Sequence, residues 1–310
     1  MTQMTTLAGH ALAPFAFGTM QFGGTADHAA SARMFEACRA AGIRHFDTAW
    51  IYTEGVSERI LGRLIAKDRE NLFIASKVGY AGGAGGDTIR RQFDESRNRL
   101  GSDVIDLLYI HRFDDETPLE ATFEVLAALQ QAGQVRFVGV SNYAAWQVMK
   151  AQHIAAALGT RVDAIQPMYN LVKRQAEVEL LPMCASEGIA PVCYSPLGGG
   201  LLTGKYAAGG SGRLTEDDRY AARYGQAAMR QAADGLVALA RELEVDPATL
   251  AVAWVARHPS HPVPILSARS VAQLTPSLAG MDYPMTAELR DRMSALMPAP
   301  PPATDRIEEA

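Results

Sequence analysis

Short, nearly continuous apolar runs alternate along the chain with longer segments whose apolar residues recur at three- and four-residue spacing, the signatures of buried strands and of helices. FAFGTM is followed by DHAASARMFEACRAAG, in which Ala, Met, Phe and Cys keep helical spacing and Gly42 supplies a stop. The alternation continues with IRHFDTAW and SERILGRLIA, LFIASKVG and DTIRRQFDESRNRLG, IDLLYIH and PLEATFEVLAALQQAG, VRFVGVSN and AAWQVMKAQHIAAALG, then VDAIQPMYN and VELLPMCASEG. IAPVCYSPL with the long segment 225–258, and VPILSAR with VAQLTPSLAG, bring the count to eight strand-helix units. Eight such units without a linker predict a single-domain α/β fold, a closed parallel (β/α)8 barrel of the TIM type. Strands covered by helices on one side and by barrel core on the other are expected to read as unbroken apolar runs, as these do.

A doubly wound sheet is the competing arrangement. Its first strand-to-helix turn should carry GxGxxG, but that turn here reads GTMQFGGTADH, and in GGAGGD Thr88 stands where the last glycine belongs. GGAGG is read as a flexible loop with Asp87 as the N-cap of the next helix. Residues 1–13 are expected to form a hairpin or cap, residues 1–298 the barrel, and the proline-rich segment 299–310 a disordered tail. The loop 205–225 is expected to order around a ligand.

Composition narrows the partners. With 310 residues and 48% hydrophobic content the chain can bury a large core, and a net charge of -5 without a Lys/Arg block argues against nucleic acid or an anionic membrane surface. Three cysteines, Cys38, Cys184 and Cys193, lack metal-finger spacing and give an odd count, which fits reduced thiols in a cytoplasm. No apolar stretch approaches the roughly 20 residues of a membrane span. The partner expected is a small molecule.

In a barrel of this kind chemistry is built at the C-terminal strand ends, and those ends are unexpectedly polar. Alternation places Lys77 on the face of Phe73 and Ala75, and His111 on the face of Leu107 and Tyr109, so both polar groups continue a core-facing row. A lysine there needs a neighbouring anion, and Asp47 at the end of the second strand is the candidate. Tyr52 lies five residues further along. Asp47, Tyr52, Lys77 and His111 together can move a proton: an adjacent ammonium favours the phenolate and should shift Tyr52 towards useful acidity. No HExxH or Cys/His cluster points to a metal, and no GxSxG points to a nucleophilic serine.

GGGLLTGKY matches the phosphate-loop pattern from Gly199 through Gly204 and Lys205, but Tyr206 replaces the Ser or Thr that would hold magnesium. Its late position and the following YAAGGSGRLTEDD read as a mobile loop, with a phosphorylated ligand left open.

These residues resemble the aldo-keto reductase family. FDTAWIYTEGVSERILG is similar to its Asp-Thr-Ala, Tyr, Glu and Gly signature, SKVG to its lysine strand, DLLYIHR to its histidine strand, GVSNY to its carboxamide-binding strand and YSPLGGGLLTGKY to its cofactor loop, across about Phe17 to Leu278. The resemblance implies a barrel that binds a nicotinamide cofactor, usually NADP(H), with NAD(H) as the alternative, and acts on a small carbonyl or alcohol. Carried over, it makes Tyr52 the general acid, supported by Lys77 and Asp47, and His111 the group that orients the carbonyl. Ser141, Asn142 and Gln166 would hold the carboxamide and Tyr194 would stack on the ring. Thr19, Met20, Ser195, Leu197, Gly199 and Lys205 would follow the cofactor, with Ser267, Arg269, Gln273 and Ser277 around its adenosine end. Arg269 would pair with a 2′-phosphate. Ser267 replaces a common glycine, Ser277 a usual Asn, and Thr53 a frequent glycine. Phe22, Trp50 and Phe113 are expected to form an aromatic substrate wall.

Three functions follow: an NADP-preferring reductase of aldehydes, ketones or sugars; an NAD-linked sugar or polyol dehydrogenase; and a slow cofactor-sensing subunit, since the cofactor loop is also similar to that of potassium-channel beta subunits.

Overall fold

Eight parallel strands close on one another in chain order: β1 (Ala16–Gly18), β2 (His45–Asp47), β3 (Phe73–Val78), β4 (Ile105–Ile110), β5 (Val135–Ser141), β6 (Ala164–Gln166), β7 (Ala190–Cys193) and β8 (Val263–Leu266). The computed structural model describes residues 3–207, 209–304, 306 and 308. One helix links each strand to the next through β7: α1 (His28–Ala40), α2 (Val56–Ile65), α3 (Gly86–Leu100), α4 (Leu119–Gln131), α5 (Ala145–Ala157) and α6 (Leu180–Glu187). Between β7 and β8 lie α7 (Arg213–Glu216), α8 (Asp218–Tyr224), α9 (Ala227–Glu242) and α10 (Pro247–Ala256); α11 (Val271–Ala279) and α12 (Ala287–Ser294) follow β8.

The two-residue period of each strand sorts its side chains. Phe73, Ala75, Leu107, Tyr109, Ala164 and Val192 fill the barrel interior, while Ile74, Val78, Leu108 and Ile110 join the cluster under the helices. Register then stacks neighbours: Asp47 pairs with Ala75, and Lys77 with Tyr109. The face assigned to Lys77 from sequence alternation is therefore the one observed.

The N-terminal end of the barrel is closed by the first residues. Thr5 bridges Ala11, the Thr6 amide donates to the His10 carbonyl at 3.0 Å, and Met4 and Leu12 pack against the interior cluster. Below them Asp106 is fully buried and takes Arg69 at 2.7 Å, Arg136 at 2.6 Å and the Ile74 amide at 2.8 Å.

Three local expectations are revised. Asp87 falls inside the first turn of α3 rather than at its N-cap, which is Gly85; its charge there favours the positive helix end. The segment 225–258 breaks into α9 and α10, because Asp246 caps the Ala248 amide at 2.7 Å and Pro247 opens the second helix. The loop 205–225 already holds two short helices. In the tail, residues 299–302 have no regular structure and 303–304 form a turn; the disorder expected there falls partly on 305, 307, 309 and 310, which lie outside the described residues.

Candidate active site

Asp47, the last residue of β2, and Lys77, next to last on β3, point into the top of the barrel and are 2% and 1% exposed. Lys77 Nζ donates to Asp47 Oδ1, to the Thr48 carbonyl at 2.6 Å and to the Tyr52 hydroxyl at 3.4 Å. The second Asp47 oxygen accepts from Gln166 Nε2 at 2.8 Å. Burial opposes the lysine charge, but Asp47 and Tyr52 outweigh it and hold the ammonium above its ordinary pKa. The carboxylate thus keeps Lys77 charged and aimed at the phenol.

Tyr52 begins a tight turn, Tyr52–Gly55, in which Thr53 and Glu54 take left-handed conformations with φ of 46° and 54°. For a β-branched residue this is strained, at a cost on the order of 1–3 kcal/mol. Thr53 offsets the strain by donating to the Phe22 carbonyl and accepting from the Ser57 amide, both at 2.9 Å. The same turn is braced from outside: Arg99 donates to the Trp50 carbonyl at 2.9 Å and to buried Glu58 at 3.2 Å, while the Trp50 indole donates to Glu95 at 2.7 Å.

Burial, the larger influence, pushes the Tyr52 phenol upward, and the Lys77 ammonium only partly draws it back. The expected downward shift is not reached, because dehydrating a phenolate outweighs one ammonium at this distance. His111 follows β4, with its ring edge-on to Tyr52 at 5.9 Å and 5.0 Å from that of Tyr80. Burial, helped by the charges of Lys77 and Arg112, pushes His111 down to about 3, so the imidazole is neutral at physiological pH.

Beside this group Ser141 Oγ donates to the Gln166 carbonyl at 3.0 Å, and Asn142 Nδ2 donates to Ser141 Oγ at 3.0 Å and to the His111 carbonyl at 2.9 Å. Tyr194 donates to Asn142 Oδ1 at 2.8 Å. Asn142 and Ser195 sit at positive φ, 58° and 59°. Polar side chains of β5, β6 and β7 are thereby locked to one another at one wall of the site.

A cleft of about 880 Å³ runs from Tyr52 and His111 past Tyr194 and Leu197 to Ser267, Arg269, Gln273 and Ser277. Its length and lining fit an extended anionic dinucleotide. Gly199 and Gly200 adopt φ of 66° and 96° in the loop after β7, and a Cβ on Gly199 would lie 2.8 Å from the Tyr220 ring, so glycine lets the loop and α8 pack closely over this stretch of the cleft. Lys205 lines the same stretch, and Ser267 Oγ is buried without a hydrogen-bond partner among the described residues. Arg269 meets Glu216 of α7 at 3.7 Å.

The model of the Aldo/keto reductase family matches residues 14–297. The chain belongs to the aldo/keto reductase family. It is 31% identical to the uncharacterized oxidoreductase YrpG of Bacillus subtilis over 91% of each chain, and 31% identical to a probable voltage-gated potassium channel subunit beta of Oryza sativa over 92% of each. It is 37% identical to human aflatoxin B1 aldehyde reductase member 2 over 61% of this chain and 54% of that one. Aldo/keto reductases are oxidoreductases that generally use NAD(P)H.

Most of the side chains expected of an aldo/keto reductase line the cleft, but several do not. Lys77 lies behind Tyr52. Thr19 is buried against Ser57 at 2.8 Å and reaches the Asp47 carbonyl at 3.2 Å, whereas Met20 does line the cleft. The aromatic wall is built differently from the expectation. Phe22 is fully buried against Phe17; Trp50 turns outward between Arg91 and Arg99; Phe113 packs on Tyr143 and Trp146. Each is drawn to a helix-side contact that buries its ring, so the wall is instead Ile51, Tyr80 and Tyr220. Sequence reading missed Tyr80, Arg112, Arg219 and Tyr220. The HR pair after β4 and the RYAARY repeat of α8 were the only signals, and neither shows without tertiary contacts which way its charges turn.

Proposed function

We propose that the protein is an NAD(P)H-dependent reductase of aldehydes or ketones, with NADPH preferred and Tyr52 as the proton donor. The observation that carries this reading is the contact of buried, charged Lys77 with the Tyr52 hydroxyl at the closed end of a long cationic cleft. When bound, the reduced nicotinamide supplies the hydride. Tyr52 carries its proton at neutral pH, since burial raises its pKa, and donates it to the carbonyl oxygen; Lys77 stabilises the phenolate left behind. Neutral His111 directs a hydrogen bond at the same oxygen and orients the carbonyl. Ser141, Asn142 and Gln166 offer donors and acceptors for a carboxamide, and Tyr194 a flat surface for a ring. Leu197, Ser195, Gly199 and Lys205 would line the pyrophosphate, and Ser267, Arg269, Gln273 and Ser277 the adenosine end. A raised phenol favours reduction over oxidation, which needs the phenolate, and so supports a reductase above a dehydrogenase.

Replacement Tyr52→Phe tests the assignment. Reduction of a reactive aldehyde is expected to fall by roughly 10²–10⁴-fold while NADPH affinity, read by fluorescence titration, stays within about twofold. Near-normal turnover by the variant would remove Tyr52 from the chemistry. The relative named as a channel beta subunit supports a second reading, a slow cofactor-sensing subunit. Single-turnover reduction far slower than aldehyde binding, with cofactor release slower still, would favour it.

A further inference from the structure

The cleft near Tyr52 carries positive charge that the proposed cofactor does not use. Lys205 and Arg269 lie on the stretch read as phosphate-binding, and Arg213 is hydrogen-bonded to Tyr220 at 3.3 Å. Arg112 is different. It is exposed, lies on the loop directly after His111, and is held 5.0 Å over the Tyr80 ring by a cation–π contact. It makes no salt bridge among the described residues. The carboxylate whose charge it feels, Asp114, is committed elsewhere, accepting from the Ala84 amide at 2.8 Å, the Thr117 hydroxyl at 2.6 Å and the Glu116 amide at 3.2 Å.

Arg219 reaches the same place from the other side of the chain. It projects from α8 into the same cleft lining as Tyr80 and Arg112. Its partner Asp217 is bound at 2.8 Å, but the arginine is 81% exposed, and an exposed pair of this kind yields readily to a second anion. Among the described residues two acids line the cleft, and both are engaged: Asp47 by Lys77 and Gln166, Asp246 by the Ala248 amide. A chain with net charge -5 has thus gathered guanidinium groups at one rim, Arg112 without a salt bridge among the described residues and Arg219 held only by an exposed pair with Asp217.

We propose that Arg112 and Arg219, which line the cleft together with Tyr80, Tyr52 and His111, form an anion subsite, and that the carbonyl substrate carries a carboxylate or phosphate at the end remote from its carbonyl. The proposal rests on the reductase reading for the word substrate, but the subsite itself stands on the arginines. Tyr80 and Ile51 give the substrate's spine an apolar wall, and the arginines fix its charged end, as guanidinium groups do with planar or tetrahedral oxyanions.

The test pairs each anionic aldehyde with a neutral counterpart: 4-carboxybenzaldehyde with 4-carbamoylbenzaldehyde, and glyceraldehyde 3-phosphate with glyceraldehyde. Calorimetric titration of the free protein and of its NADP⁺ complex reads binding, and NADPH oxidation reads kcat/KM. At least one anion is expected to bind and react about tenfold better than its counterpart. That ratio should fall towards one in Arg112→Gln and Arg219→Gln, through KM rather than kcat, with NADPH affinity unchanged; which pair responds tells carboxylate from phosphate. Equal binding within both pairs would overturn the subsite. So would a ratio that survives in both variants, or variants that weaken NADPH binding and leave the ratio alone. Selective anion binding without turnover would retain the subsite and overturn the reductase reading instead.

Discussion

The two ends of the barrel each bury an acid against a base, and only the upper pair touches a phenol. At the N-terminal end both oxygens of Asp106 are taken by Arg69 and Arg136, and one of them also accepts from a backbone amide. Arg136 lines a second pocket of about 460 Å³ with Gln130, Phe137 and Thr160, and the hydroxyls that Arg69 and Arg136 reach are those of Ser102 and Thr5. At the C-terminal end Asp47 and the Thr48 carbonyl take two contacts of Lys77, and the ammonium keeps a longer third one, 3.4 Å to a hydroxyl that lines an 880 Å³ cleft. A buried ion pair is thus no sign of chemistry in itself. What distinguishes the upper pair is a phenol in contact with its ammonium at the wall of the cleft.

The contrast is broken most sharply by mutation at each end. Lys77→Met is expected to lower turnover by roughly 10²–10⁴-fold, because the phenolate formed at Tyr52 loses its counter-charge. Asp106→Ala should instead destabilise the fold by about 3 kcal/mol, leaving two guanidiniums without their shared carboxylate, with kcat of the folded protein little changed. Urea midpoints and steady-state rates on both variants check this; matching effects at the two ends would dissolve the distinction.

Acid should act on both ends through histidine. His45, the first residue of β2, and His111, at the top of the barrel, are pushed down to about 3, chiefly by burial and secondly by Lys77. Unfolded histidines bind a proton near pH 6.5, so below that value the unfolded chain holds about two more protons than the native one. Stability contributed by keeping them neutral is present above pH 6.5 and is lost as pH falls towards 3, with a slope approaching about 2.7 kcal/mol per pH unit. Denaturant midpoints at pH 7.0, 6.0 and 5.0 measure it, and a flat profile over that range would contradict it.

The smallest effect belongs to the far end of the cleft. Glu216 meets Arg269 at 3.7 Å with both side chains partly exposed, and a pair of that kind is worth up to about 1 kcal/mol. Glu216→Gln should tighten NADPH binding by about two- to fivefold and leave NADH unaffected, if Arg269 reads a 2′-phosphate. Equal change for both cofactors would take Arg269 out of that role.

The barrel was legible because its signal is periodic. Eight apolar runs and the alternation that put Lys77 beside Phe73 and Ala75 follow from backbone geometry alone. The upper ion pair was legible too, since a lysine in a core-facing row requires an anion. The aromatic wall was not. Phe22, Trp50 and Phe113 have suitable sequence positions, but ring orientation is decided by neighbours distant in sequence, such as Glu95 and Arg99 for Trp50. Nor was the upward shift of Tyr52, which depends on how much water the closed site excludes.

By itself, then, the sequence determined which strands form, which face each residue occupies and which acid, base and phenol stand at the strand ends, because these are set by local geometry and by the cost of burying an unpaired charge. Only the tertiary structure decided which of two buried ion pairs meets a phenol at a cleft, which aromatics line that cleft, and that Arg112 and Arg219 from distant parts of the chain line it with Tyr80. Those outcomes depend on packing and solvent exclusion between segments far apart in sequence, which no local pattern encodes.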